Sequence, residues 1–236
     1  MATEHARAFA AEISAAFDII SDASLRFGKT QYTKVIRVNA QTTIAMHWLI
    51  PRLPNFYLQH PDIEISVSTS HSSEAKGLSG FDVLIRRDAL EKPEWRYFDR
   101  RPLFEEKLTL VASPTLLAQH RLNTVEDLTA HVFVTSNTRV GEWEKWMKEA
   151  GIESLYPLRF QRFEHNYLSM QAVIDGLGIG IAGLPTLSHD LNKKRLQAPF
   201  QVQVTGSQYA ALVAPDVDKS LSLTLFLECL EQEALK

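Results

Sequence analysis

The chain has 236 residues, 45% of them hydrophobic and 22% charged, which is the composition of an ordinary soluble globular protein. Its formal net charge is −3 and its Lys and Arg residues are scattered, which argues against a DNA-binding surface within this chain. No apolar run approaches the ~20 residues that cross a bilayer. The N-terminus has no basic region followed by an apolar core, so we expect no secretory signal. We therefore expect a cytoplasmic protein without membrane contact.

The single cysteine, Cys229, excludes an intramolecular disulfide and any zinc site that needs two cysteine ligands. Its neighbours predict a helix that carries one buried or half-buried thiol. Neither a metal nor a cofactor is expected.

Residues 4–27 form the first predicted element, a helix with an apolar stripe that includes Phe9, Ile13 and Ile20. Gly28 supplies its C-terminal stop. An isolated helix of this size is only marginally stable in water, so the stripe needs a partner. That partner is either the rest of the same domain or a second copy of the chain, and the sequence leaves both open.

Strands and helices then alternate, which predicts an α/β fold with mainly parallel sheets. The predicted strands lie at 35–38, 63–67, 81–85, 107–112, 131–135, 158–164, 179–182, 200–204 and 208–213. The predicted helices lie at 43–60, after Ser113-Pro114, at 141–150, 166–175, from Thr186, and at 217–235. No flexible linker interrupts this alternation, so strands that cross between two lobes are favoured over separate domains.

Several segments form an ordered series from strand 35–38 through a helix, a His60-Pro61 turn and a late glycine-rich signature, over residues 35–215. The segments are Trp48-Leu49-Ile50-Pro51-Arg52-Leu53, His60-Pro61-Asp62-Ile63, Gly80-Phe81-Asp82-Val83-Leu84-Ile85, Ala112-Ser113-Pro114 and Gly176-Leu177-Gly178-Ile179-Gly180. In this order they resemble the effector-binding (regulatory) domain of LysR-type transcriptional regulators.

The resemblance implies a two-lobed, periplasmic-binding-protein-like (type 2) fold with an N-terminal linker helix. Residues 1–30 would be the linker and dimerisation helix, 31–112 the first part of lobe one, 113–204 lobe two, and 205–236 the return to lobe one. Two strands would cross between the lobes, near 110–113 and 203–207. The family's winged helix-turn-helix is missing, so we expect a shortened or engineered chain or a natural fragment.

In this interpretation the chain is not an enzyme but the sensor of a transcription regulator. It would bind a small carboxylate or amino-acid-like metabolite in the cleft, form a homodimer or homotetramer, and contact DNA only through the missing domain. A solute-binding protein of a transport system has the same fold and is the alternative. Such a protein should begin with a signal peptide, which the sequence lacks.

Candidate ligand contacts in lobe one follow three strands. Thr42 and Thr43 begin a helix, where hydroxyls and unpaired amides suit a carboxylate, although an ordinary helix cap needs the same residue types. The other candidates end the second and third strands, where open α/β sheets bind ligands, although turn chemistry explains the hydroxyl residues almost as well. They are Ser68, Thr69, Ser70, Arg86 and Arg87, with Arg87 preferred over Arg86 as the carboxylate clamp.

Candidate contacts in lobe two are Thr135 and Ser136 at a strand end, and Phe163, Glu164, His165 and Asn166 before a helix. His165 is either a pH sensor or a satisfied turn residue. Glu164, if it faces the cleft, favours a ligand ammonium group. The glycines at 176, 178 and 180 lack the Lys-Ser/Thr of a phosphate-binding loop, so turn geometry and close packing explain them better.

Overall fold

The computed structural model describes residues 34–70, 80–153 and 158–235, so the predicted helix at 4–27 lies outside the described residues. The elements in chain order are β1 (Lys34–Ala40), the helical segment α1 (42–59), β2 (Ile63–Thr69), β3 (Val83–Arg87), β4 (Asp99–Val111), α2 (Pro114–Gln119), β5 (Val132–Ser136), α3 (Glu142–Glu149), β6 (Arg159–Phe163), α4 (Asn166–Ile174), β7 (Gly180–Leu184), α5 (Ser188–Asn192), β8 (Val204–Val213) and α6 (Leu221–Ala234). Short 3₁₀ turns occur at Pro93–Trp95 and Glu126–Ala130.

Segment α1 is helical throughout but not regular. An α-helical turn at Thr42–Ile44 is followed by a π-helical turn at Ala45–Leu49, where the Ile50 amide donates to the Ala45 carbonyl. Pro51 then lacks an amide hydrogen, and its ring would clash with a carbonyl one turn earlier in a regular α-helix. The wider turn ahead of Pro51 accommodates this clash.

The main sheet has six strands in the order β2-β1-β3-β8-β4-β7, and β5 and β6 form a second, parallel pair. Strands β1, β2 and β3 are parallel, as predicted. The expectation of mainly parallel sheets is wrong for the rest of the main sheet, because β8 is antiparallel to both β3 and β4, and β4 is antiparallel to β7. We call the part built on β1–β3 lobe one and the part built on β5–β7 lobe two.

Strands β4 and β8 cross between the lobes. Strand β4 pairs with β8 from Asp99 to Leu108 and with β7 from Lys107 to Val111, with register shifts on either side of Glu105. At Lys107 and Leu108 it pairs with both strands, and the predicted crossing at 110–113 overlaps its pairing with β7. The lobes have separate cores, with Trp48 and Phe226 buried in lobe one and Phe133 and Trp146 buried in lobe two.

The predicted strand at 200–204 is not one, apart from Val204. The Val202 carbonyl instead accepts hydrogen bonds from the Thr109 hydroxyl at 3.2 Å and from the Trp146 indole at 3.2 Å. These side-chain donors satisfy the Val202 carbonyl, so the segment packs on the core of lobe two without pairing with a strand. The last helix begins at Leu221, later than the predicted 217, because the Ser220 hydroxyl caps it.

Two glycines mark close approaches of the backbone. A Cβ at Gly178 would lie 2.2 Å from the Val132 carbonyl oxygen, which agrees with the predicted packing role of the glycine run. A Cβ at Gly183 would lie 2.1 Å from Oε1 of Glu106, a buried carboxylate on the crossing strand β4. Strand β7 can therefore lie this close to Glu106 only because residue 183 has no side chain.

Replacing Gly183 by alanine should force Glu106 out of place and lower the free energy of unfolding by about 1–3 kcal/mol, as other overpacked sites do. Chemical denaturation of the purified chain measures this change. The control is Ala182→Gly on the same strand, which creates no clash and should cost about 0.5–1 kcal/mol. Equal losses for the two variants would contradict the close approach.

Candidate ligand-binding site

A small cavity lies between the lobes, with a volume of about 60 Å³. This is well below the ~300–1,000 Å³ of typical ligand pockets, and the cavity is open to solvent on one side. None of the lining side chains that the structure describes is a carboxylate. Lobe one and strand β8 contribute Gln41, Thr42, Thr43, Ser70, Arg87 and Tyr209, and lobe two contributes Thr138, Arg139, His165, Asn166 and Tyr167.

Two helices begin at this cavity without a side-chain cap. The cap position of α1 is Gln41 and that of α4 is His165, and neither side chain accepts a hydrogen bond from its helix. Thr42 and Thr43 are the first helical residues of α1, not its cap, so the cap explanation of these threonines is wrong. Amides in the first turn of a helix have no partner within the helix and attract anions.

The Thr42 hydroxyl is buried and has no hydrogen-bond partner among the described residues. A buried hydroxyl without a partner costs free energy, and a ligand oxygen in the cavity would relieve that cost. The hydroxyl and the first-turn amides of α1 together can receive a carboxylate.

Arg87 reaches across the cleft. Its Nη2 donates to the Thr138 carbonyl of lobe two at 3.1 Å, and its Nε lies 3.5 Å from the Asp88 carboxylate. The side chain is a quarter exposed, so its charge is only partly neutralised and remains accessible from the cavity. Arg87 can therefore bind a carboxylate and hold the two lobes together at the same time.

Arg86 is buried behind the cavity and has no carboxylate within ion-pair distance in the described part of the chain. Only 1% of the residue is exposed. Its guanidinium donates to the Asn39 carbonyl at 3.0 Å, to Asn39 Oδ1 at 2.5 Å and to the hydroxyl of Ser70, a cavity residue, at 3.2 Å. Burial lowers the pKa of Arg86 to about 10, so it still carries a positive charge at neutral pH.

Arg139 is held by two carboxylates and is not free to bind a ligand anion alone. Its Nη2 donates to Glu106 Oε2 at 2.9 Å and its Nε lies 2.6 Å from Glu142 Oε1, while Thr186 donates to the other Glu106 oxygen. Burial disfavours the Arg139 charge, but Glu106 and Glu142 outweigh this effect and hold its pKa above the ordinary value. The cluster fixes the loop of Thr138 and Arg139 to the crossing strand β4.

Tyr209 lies on β8 and contributes a buried phenol to the cavity wall. Burial raises the pKa of Tyr209, and the nearby Glu106 raises it further. The hydroxyl therefore stays protonated and can donate a hydrogen bond to a ligand oxygen.

Six of the thirteen predicted contacts line the cavity: Thr42, Thr43, Ser70, Arg87, His165 and Asn166. The other seven do not line it: Ser68, Thr69, Arg86, Thr135, Ser136, Phe163 and Glu164. The sequence analysis did not include Gln41, Thr138, Arg139, Tyr167 and Tyr209. Whether any of these residues contacts a ligand stays a prediction.

The structure explains why these predicted contacts do not line the cavity. Ser68 accepts from Asn39 at 3.0 Å, and Thr69 is exposed. The Glu164 side chain is 78% exposed and does not line the cavity, so the condition on which the ammonium argument depended is not met in this geometry. Thr135 and Ser136 line a smaller neighbouring void, together with Glu142 and Ser169, and Phe163 packs on the core of lobe two.

His165 lines the cavity and stacks on the Tyr167 ring at 5.7 Å between centroids. The stack places an aromatic surface beside Asn166 at the start of α4. Thr138 and Arg139 could have been found by extending the strand-end argument past Ser136. Tyr209 lies in mid-strand without a local motif, and only the fold brings it to the cavity.

These features define a ligand-binding domain of two lobes joined by crossing strands. The chain belongs to the LysR substrate binding domain family, which it matches over residues 29–235. This membership confirms the family resemblance seen in the sequence.

Among related proteins, the HTH-type transcriptional activator AmpR of Pseudomonas aeruginosa is 30% identical over 194 residues, which cover 82% of this chain and 64% of AmpR. The glycine cleavage system transcriptional activator of Escherichia coli is 25% identical over 220 residues, which cover 93% of this chain and 71% of that protein. The chain thus spans about two thirds of the length of these relatives. Both are transcription regulators, in agreement with the expectation that the chain is not an enzyme, and neither supports a transport function.

Solved structures confirm the fold. The effector domain of AmpR from Pseudomonas aeruginosa matches with a TM-score of 0.68 and 27% identity, over 86% of this chain and 96% of that domain. The regulatory domain of CrgA, a LysR-type regulator from Neisseria meningitidis, matches with a TM-score of 0.66 and 20% identity, over 86% and 99% of the two chains. The predicted two-lobed, type 2 periplasmic-binding-protein-like fold is therefore confirmed.

No described helix is long and apolar enough to span a membrane. Within the described ranges, no group of three His, Cys, Asp or Glu side chains is placed to hold a metal ion. Cys229 is half-buried in α6, as the sequence predicted.

Replacing Glu106 by glutamine should leave Arg139 with one carboxylate in a buried site. Breaking a buried ion pair costs ~3–5 kcal/mol, and Arg139 keeps Glu142, so we expect a loss of about 3 kcal/mol in the free energy of unfolding. The control is Glu105→Gln, the neighbouring residue on β4, whose half-exposed side chain pairs with Lys107. That variant should change stability by less than ~0.5 kcal/mol, and similar losses for both would show that the Arg139 cluster is not stabilising.

Proposed function

We propose that this chain is the ligand-sensing domain of a LysR-type transcriptional regulator and that its ligand is a small metabolite with a carboxylate. The observation that carries the proposal is the charge around the interlobe cavity. Arg87 and two uncapped helix starts face it, and Arg86 lies buried behind it. Among the residues that the structure describes, Arg86 has no carboxylate within ion-pair distance and no lining residue is acidic. Such a site favours an anion through charge and through hydrogen bonds.

The two lobes offer different parts of the binding site. Lobe one supplies Arg87 and the first turn of α1, and lobe two supplies the first turn of α4 with Asn166. A ligand that contacts both lobes binds the closed geometry better than an open one. It can therefore shift the population toward the closed geometry, which is the physical requirement for a sensor.

An amino-acid-like ligand is a second candidate. The small void beside the cavity shares Arg139 and Asn166 with it and is closed by Glu142, a carboxylate that is 13% exposed. Burial raises the pKa of Glu142 although Arg139 opposes this shift, so a cation near this carboxylate would be favourable. An ammonium group at this end and a carboxylate at Arg87 would suit such a ligand.

In the whole protein, ligand binding would change the geometry of a homodimer or homotetramer and move DNA-binding domains that lie outside this chain. The relatives are named as transcription regulators, which supports this part of the proposal. The oligomeric state, the cytoplasmic location and the contact with DNA stay predictions.

A thermal-shift screen of the purified chain against aliphatic carboxylates, aromatic carboxylates and amino acids tests the site. A ligand at about 100 times its Kd stabilises the folded chain by ~2.7 kcal/mol. Loss of a charged hydrogen bond costs ~1.5–3 kcal/mol, so Arg87→Ala should weaken binding by roughly 10- to 150-fold, and Thr43→Ala should weaken it less.

The matched controls are Arg100→Ala and Thr69→Ala, which remove the same residue types from exposed positions outside the cavity. Both should keep the stabilisation by the compound that the screen finds. If Arg87→Ala and Thr43→Ala kept it as well, the ligand would bind elsewhere and the proposed site would be wrong.

A further inference from the structure

A buried hydrogen bond joins the lobes away from the ligand-lining residues. His47 in α1 of lobe one lies 2.8 Å through Nδ1 from Oδ2 of Asp190 in α5 of lobe two. Their side chains are 6% and 0% exposed. Neither residue lines the cavity, so the pair is not explained by ligand binding.

Asp190 is held on the lobe-two side by a second cation. Arg195 contacts its other carboxylate oxygen, and the Arg195 amide donates to the Asp190 carbonyl at 2.9 Å. Burial would raise the pKa of Asp190, but the hydrogen bond from His47 and the charges of His47 and Arg195 outweigh this and lower it. Asp190 is therefore a fixed carboxylate that lobe two presents to lobe one.

His47 is presented by an unusual turn of helix. It lies within the π-helical turn Ala45–Leu49, ahead of Pro51. Single π-turns inside helices occur often at functional positions, because they redirect one side chain without ending the helix. His47 is also only four residues beyond Thr43, so whatever fixes His47 fixes the part of α1 that begins at the cavity.

The contact is stable in the closed arrangement but not without cost. His47 Nε2 is buried and has no partner among the described residues. Opening the cleft would expose this nitrogen, and Asp190 with it, to water. In the closed cleft the two side chains are hydrogen-bonded to each other, and in an open cleft both would be hydrated. A contact with two such alternatives can be made and broken.

We propose that the His47–Asp190 pair is an interlobe latch that holds the cleft closed. In this role His47 and Asp190 are positioning residues: they set the distance between the lobes, and through α1 they set where Thr42 and Thr43 lie relative to α4. Removing the charge of Asp190, or the hydrogen bond between Asp190 and His47, should open the cleft of the ligand-free chain. This inference does not depend on which ligand the cavity binds.

Distance measurements by double electron–electron resonance on the full chain test the latch. Spin labels are placed in lobe one by Glu91→Cys and in lobe two by Lys148→Cys, both exposed positions, in a Cys229→Ala background. Labelled chains are diluted with unlabelled chains so that only distances within one protomer are measured. Asp190→Asn and His47→Gln should each broaden the distribution or shift its mean by several ångström.

The control is Arg101→Gln, which removes an ion pair with Glu231 at 3.1 Å inside lobe one. It should leave the interlobe distances unchanged. If Asp190→Asn does not fold, His47→Gln decides alone. An unchanged distribution in the folded variants, even with a lower unfolding temperature, would overturn the proposal, because a merely structural pair lowers stability without moving the lobes.

Discussion

The charge of Arg86 is the constraint around which lobe one is arranged. A buried guanidinium without a carboxylate is costly, and in the described part of the chain oxygens of Asn39, Ser70 and the strand backbone stabilise it. These acceptors are the ends of the parallel strands, where the chain turns toward the cavity. The positive potential of Arg86 adds to that of Arg87 and the α1 start, which supports the proposal that this sheet edge binds an anion.

The crossing strands β4 and β8 connect two lobes that have separate cores. Glu106 projects from β4 to Arg139, and its close approach to Gly183 ties the same strand to β7. Among the described residues, the strands themselves, the hydrogen bond from Arg87 to lobe two and the His47–Asp190 pair all span the cleft. A ligand at Arg87 acts on one of these connections directly, so its binding free energy can change the lobe arrangement.

Hydrophobic periodicity is a local property of the sequence and predicted most elements, whereas the two-lobed fold was implied by the resemblance of the ordered motifs to the LysR family. It also brought Thr43, Arg87 and Asn166 to one place, since strand and helix ends meet at a sheet edge. It failed where tertiary contacts decide. Tyr209 is an ordinary strand residue until β8 crosses the cleft, and Glu164 sits beside cavity residues in sequence although its own side chain points to solvent.

Recognition of negative charge is the property that the proposed site requires of the cavity. Isothermal titration calorimetry with the tightest-binding carboxylate and with its neutral primary amide, which has nearly the same shape, tests this property most directly. The amide should bind at least about 100-fold more weakly, since it loses charged hydrogen bonds of ~1.5–3 kcal/mol each. Equal affinities for the acid and the amide would contradict recognition of negative charge.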